Sequence, residues 1–180
     1  MWVPTLLSMN PPGGVPTGCV FSALMMAITI GGIVFQPLEH FFATKITTKA
    51  KAPELSAVFS YIMASLSMSV PAICLCCGAA NVCFERVLAS FLVIEFCVGL
   101  SSPIAGILRS KYVPDAYQGA IMNIFRLPLN VVVVSGTHAT DVLEQYQVFG
   151  IVSGLFLAAA ALQATLAMDG EVEKKQVKKD

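Results

Sequence analysis

Residues 87–108 read VLASFLVIEFCVGLSSPIAGIL, an almost wholly apolar run whose single charged side chain is Glu95. Charged residues bound the run on both sides, with Glu85 and Arg86 before it and Arg109 and Lys111 after it. A helix needs roughly 20 predominantly apolar residues to cross the hydrocarbon core of a bilayer. The run therefore predicts a membrane-spanning helix.

The same pattern recurs along the chain. It predicts an all-α, multi-pass transmembrane helical bundle with five spans, at about residues 18–35, 55–78, 87–108, 121–137 and 148–168. Residues 1–7 are apolar but too few to span, and we interpret them as the end of a preceding helix. Residues 1–168 then form one transmembrane half-domain, and the charged segment 169–180 is predicted to be a solvated tail.

The overall composition supports a membrane environment and argues against several classes of function. The 180-residue chain is 56% hydrophobic and only 12% charged, whereas soluble domains carry about 25% charged residues. Eleven basic and eleven acidic residues give zero net charge, so nucleic-acid binding is not expected. The sequence has no Gly-rich phosphate loop, nucleophile elbow or His-x-x-x-His pair. We therefore expect neither an enzyme nor a cofactor.

The cysteines do not predict a metal site. Five of the six lie inside apolar runs, and the cluster Cys74, Cys76 and Cys77 is spaced C-x-C-C. Structural zinc sites use C-x-x-C pairs instead. We interpret these cysteines as small apolar side chains in membrane helices.

Basic residues predict the orientation of the chain, because short loops rich in Lys and Arg stay in the cytoplasm. Lysines cluster between the first two spans and in the tail, and Arg109 and Lys111 follow the third span together with Asp115. In the loops on the opposite side, Arg86 is the only lysine or arginine. This alternation predicts a cytoplasmic carboxyl terminus, with Arg109, Lys111 and Asp115 in a cytoplasmic loop.

The fourth predicted span carries a polar stripe. Asn123, Arg126, Asn130 and Thr137 follow one another at steps of three, four and seven residues, which places them on one helical face. Arg126, with its planar fork of donors, and the two asparagine amides are suited to binding an oxyanion. Alternatively, Arg126 lies roughly 7.5 Å from the inner helix end and extends its side chain to the membrane interface.

Glu95 is the second charged residue within a predicted span. It shares a small, polar helical face with Gly99, Ser102 and Gly106, and we expect this face to meet protein or water rather than lipid. Glu95 is either a proton-coupling carboxyl or a structural group hydrogen-bonded between helices. Its depth differs from that of Arg126 by about 10 Å, so a direct ion pair is not expected.

The third and fourth spans also resemble a known family. The similarity lies in residues 95–100 (EFCVGL), Pro103, residues 108–115 (LRSKYVPD) and residues 122–130 (MNIFRLPLN). On these residues, the two spans and their connecting loop resemble the tenth and eleventh helices of the molybdate-anion transporters of the major facilitator superfamily. Superfamily members often have P-E-x-x-R-G in this loop, whereas this chain has Gln118 in place of the arginine. A loop salt bridge made by that arginine is therefore not expected.

The resemblance implies a function that composition and spacing do not give. It implies a secondary transporter of molybdate in the cell membrane, with twelve helices in two halves and the substrate between the halves. The five spans would be helices eight to twelve, and a missing amino-terminal half would be the partner. Two alternatives stay open, which are a facilitator of a sugar or organic anion and a truncated membrane scaffold that does not transport.

Overall fold

The computed structural model describes residues 2–9, 14–46, 51–77, 84–114 and 117–177, and within these ranges every regular element is helical. The helices are α1 (Trp2–Ser8), α2 (Thr17–Phe41, continued by a π-helical turn Phe42–Ile46), α3 (Ala52–Cys76), α4 (Phe84–Tyr112), α5 (Gln118–Val142) and α6 (Gln145–Val177). Five of them, α2 to α6, contain segments long and apolar enough to cross a membrane. The predicted all-α bundle with five spanning helices is confirmed.

The helices extend beyond the apolar runs that predicted them. For example, α4 begins at Phe84 and continues through Arg109 to Tyr112, because basic side chains near a helix carboxyl terminus interact favourably with its dipole and unpaired carbonyls. Likewise, α6 continues without a break to Val177, so the first part of the predicted tail is helical. Hydropathy therefore located the membrane-crossing part of each helix rather than the helix ends.

Four of the long helices form the packed body of the protein. The most extensive contacts are between α3 and α6, α2 and α4, and α3 and α4. One buried cluster includes Leu24, Phe91 and Phe149, and a second includes Phe35 and Leu100. The short helix α1 contacts α4.

Helix α5 lies apart from this body. None of its residues is buried, and its principal contact within the chain is a slight one with α6. Leu127 and Val134 are each 69% exposed. Both the apolar and the polar faces of α5 are therefore left uncovered by the other described helices.

The helices α2 and α4 cross at unusually close range. A Cβ atom added at Gly31 would overlap the backbone oxygen of Phe96, and one added at Gly99 would overlap the backbone oxygen of Ile28. Only residues without a side chain allow two helix backbones to approach so closely. The two glycines therefore set the distance between α2 and α4.

Candidate functional site

The polar stripe on α5 is exposed along its length. Asn123, Arg126, Asn130 and Thr137 are all exposed, and Thr137 Oγ1 donates a hydrogen bond to the Val133 carbonyl oxygen at 2.7 Å. Among the described residues, the side chains of Asn123, Arg126 and Asn130 have no hydrogen-bond or ion-pair partner. Their donors are therefore available to a ligand or to another protein segment.

We expected the stripe to face a cavity or a partner helix. Within the described ranges, the other helices of this chain provide neither, because α5 contributes no buried residue. An unpaired charged group costs about 2.5 to 3.5 kcal/mol at the centre of a bilayer. The stripe therefore still requires an environment other than lipid, and its role in substrate binding stays a prediction.

Glu95 lies on α4, one helical turn before the glycine crossing. It is half-buried, while Gly99 is buried against the backbone of α2. Further along the same face, Ser102 and Gly106 are exposed. The predicted small, polar face thus meets protein at Gly99 and is uncovered beyond it.

Glu95 and Arg126 do not form an ion pair, and among the described residues Glu95 has no hydrogen-bond partner. Glu95 and Arg126 are therefore separate charged groups, one at the α2–α4 crossing and one on the exposed helix α5. The proton-coupling and structural interpretations of Glu95 both stay predictions.

The structure also contains a buried carboxylate that we did not predict. Glu54, in the first turn of α3, is 1% exposed. It forms an ion pair with Lys111 and accepts a hydrogen bond of 2.7 Å from the Tyr112 hydroxyl. These contacts join the start of α3 to the end of α4, while Glu54 Oε2 has no hydrogen-bond partner among the residues that the structure describes.

The sequence offered a signal for the helix start but none for this burial. Pro53 and Glu54 occupy the first turn of α3, where proline is favoured and an acidic side chain interacts well with the helix dipole. The predicted span begins at about residue 55, directly after Glu54, and the sequence pattern makes no prediction for this carboxylate.

The predicted cytoplasmic loop after the third span needs a correction. Arg109 and Lys111 lie in the last turn of α4 rather than in a loop, because Lys111 is held by the buried Glu54 carboxylate. Asp115 lies outside the described residues. Gln118, which replaces the family arginine, begins α5 and donates a hydrogen bond of 3.4 Å to the Val113 carbonyl oxygen.

A second set of polar contacts joins α3 to α6. The hydroxyl of Ser65 donates to the Ser153 carbonyl oxygen at 2.9 Å, and the hydroxyl of Ser153 donates to the Ser65 carbonyl oxygen at 2.8 Å. Nearer the other end of these helices, Lys51 Nζ donates to the Ala167 carbonyl oxygen at 2.9 Å. These bonds fix the register of the two helices and satisfy polar groups that hydrocarbon could not.

The described cysteines are not joined by disulfide bonds. Cys74 and Cys97 are buried, and Cys19, Cys76 and Cys77 are exposed. In the part of the chain that the structure describes, no group of three His, Cys, Asp or Glu residues could hold a metal ion.

These features define an integral, multi-pass, all-α membrane protein. Comparison with known proteins shows which proteins the chain resembles. The chain is 30% identical over 142 residues to a molybdate-anion transporter of Danio rerio and 30% identical over 140 residues to one of Takifugu rubripes. It is 29% identical over 134 residues to one of Xenopus tropicalis. Over most of its own length, the chain is therefore similar to the molybdate-anion transporters.

The similarity covers 76% of this chain but only 26% of the Danio rerio and Takifugu rubripes proteins. The chain thus spans about a quarter of the length of the curated relatives it matches. For the Xenopus tropicalis protein the shares are 73% and 26%. No protein-family model and no solved structure matches the chain.

Proposed function

We propose that this chain is part of a secondary transporter that carries molybdate across a membrane. The observation that carries the proposal is the α5 stripe, in which an arginine and two asparagines lie unpaired on one face of a spanning helix. Molybdate is a tetrahedral dianion, for which guanidinium and amide donors are suitable partners. The relatives from Danio rerio, Takifugu rubripes and Xenopus tropicalis, each named as a molybdate-anion transporter, support this substrate.

The exposed helix α5 supports a second element of the proposal, a missing transporter half. The other helices described here bury no residue of α5, and the chain spans about a quarter of the length of its relatives. A second helical bundle packed beside α5 would shield Arg126 from lipid. It would also place the stripe in a cavity between two halves, where transporters built from repeats bind their substrates near the bilayer midplane.

The proposed orientation places the carboxyl terminus in the cytoplasm, and the proposed location is the plasma membrane. Arg109 and Lys111 at the end of α4, and Lys51 before α3, support this orientation, because basic residues near the ends of spans favour the cytoplasmic side. In this orientation the ion pair between Glu54 and Lys111 lies at the cytoplasmic end of the bundle.

Uptake of labelled molybdate tests the substrate. Cells expressing a full-length transporter that contains this chain should accumulate the label, and excess unlabelled molybdate should abolish the signal. Excess sugar should leave it unchanged, because an arginine with amide donors selects an anion. Excess sulfate tests discrimination among tetrahedral dianions, and displacement of the label by sugars alone would contradict the proposal.

The pH dependence of uptake tests the role of Glu95. If this carboxyl carries a proton during transport, raising the external pH should slow uptake by the unmodified protein. A Glu95→Gln variant, which cannot exchange the proton, should lose this pH dependence. The measurement is the rate of molybdate uptake across a pH series at fixed membrane potential. An unchanged pH profile in the variant would assign Glu95 a structural role.

A further inference from the structure

A groove runs along the outside of the bundle between α3 and α4. Its volume is about 470 Å³, within the range of about 300 to 1,000 Å³ that is typical of ligand pockets. The groove is open to the surface, and its walls are almost entirely apolar. It is lined by Met63, Leu66, Ser67 and Val70 from α3 and by Arg86, Ala89, Ser90 and Val93 from α4.

The groove lies within one lipid leaflet. Arg86 lies just before the apolar run 87–108, and Val93 is the lining residue furthest along α4. At 1.5 Å per residue, Arg86 and Val93 are about 10 Å apart along the helix axis. Half of the hydrocarbon core is about 15 Å thick. The groove therefore begins at the charged end of the apolar run and ends before the bilayer midplane.

The chemistry of the groove changes along its length. Ser67 and Ser90 are buried, and the Ser90 hydroxyl donates a hydrogen bond to the Val87 carbonyl oxygen at 2.7 Å. The middle of the groove therefore offers a mainly hydrocarbon surface. Arg86 is exposed at the boundary end and has no hydrogen-bond or ion-pair partner among the described residues. The neighbouring Glu85 does not line the groove.

From this arrangement we propose that the α3–α4 groove binds one anionic phospholipid. An acyl chain lies along the apolar walls between Leu66 and Val93, and the guanidinium group of Arg86 contacts the phosphate. Arginine provides the planar pair of donors that phosphate oxygens accept. The site is separate from the α5 stripe and does not depend on the proposed transport of molybdate.

Native mass spectrometry of the full 180-residue chain in detergent tests the site, with equal amounts of phosphatidylglycerol and phosphatidylcholine added. We expect the unmodified chain to retain one phosphatidylglycerol molecule and to prefer it over phosphatidylcholine about fivefold. This preference is the effect expected of one basic residue at a membrane surface. Arg86→Gln should remove the preference, and Ala89→Trp should reduce retention of both lipids by filling the groove. Arg109→Gln and Ala105→Trp are the matched controls at exposed positions of the same helix, and both should behave like the unmodified chain.

Equal retention of the two lipids by the unmodified chain would overturn the proposal, as would a preference that survives Arg86→Gln. Lipid retention unaffected by Ala89→Trp would place the lipid elsewhere and would favour a protein segment as the occupant of the groove. Glycerol phosphate has the charge without acyl chains and should not displace phosphatidylglycerol. Displacement by this soluble anion would contradict the role of the apolar walls.

Discussion

Replacing Arg126 by glutamine in a full-length transporter that contains this chain should reduce molybdate uptake roughly a hundredfold or more. A charge-assisted hydrogen bond contributes about 1.5 to 3 kcal/mol, and a guanidinium group offers two parallel bonds to an oxyanion. Each 1.4 kcal/mol corresponds to a factor of ten in binding. Glutamine keeps a polar side chain but loses the charge, so membrane insertion should be unaffected. The measurement is the initial rate of labelled molybdate uptake, normalised to the amount of protein in the membrane.

Arg109→Gln is the matched control for this variant. Arg109 is also exposed, but it lies in the last turn of α4 rather than on the α5 stripe. The control makes the same chemical change and should keep uptake near that of the unmodified protein. If Arg126→Gln and Arg109→Gln transport equally well, Arg126 has no part in binding the anion, and its side chain is held at the membrane interface instead.

Replacing Gly99 by alanine should destabilise the protein by about 1 to 3 kcal/mol or more, the usual effect of adding volume to a well-packed site. The added Cβ atom would overlap the backbone oxygen of Ile28, and a backbone atom cannot move aside as a flexible side chain can. The crossing of α2 and α4 would have to widen, which would also disturb Glu95 one turn away. The measurement is the midpoint of thermal unfolding of the purified chain in detergent.

Gly106→Ala provides a control on the same helix. A Cβ atom at Gly106 would meet no atom of the described residues within 4 Å. Because alanine favours a helix over glycine by about 1 kcal/mol, this variant should be unchanged or slightly more stable. Opposite signs are therefore expected for the same substitution two turns apart. Equal shifts for the two variants would show that the close approach of α2 and α4 does not limit stability.

The polar residues differ in how far the sequence predicted their surroundings. Helical spacing correctly placed Asn123, Arg126 and Asn130 in one stripe, because positions along a helix follow from its fixed periodicity. Spacing did not predict that this chain leaves the stripe uncovered, since that depends on which helices pack beside α5. The burial of Glu54 was not predicted, because hydropathy does not indicate burial for a charged residue at the edge of an apolar run. Within the bundle, Lys111 forms an ion pair with Glu54 and Tyr112 donates a hydrogen bond to it.

The sequence by itself determined that this protein is an all-α membrane protein with five helices long enough to span a bilayer, and it indicated the family. Both conclusions depend on local properties, namely the length of each apolar run and the residues within two neighbouring spans. Only the tertiary structure decided the contact of Gly31 and Gly99 with opposing backbones, the burial of Glu54 and the isolation of α5. These features arise between helices that are distant in sequence. Helix packing in a bilayer depends on close surface fit and individual polar contacts rather than on hydrophobicity, because lipid tails are as apolar as the helix surfaces.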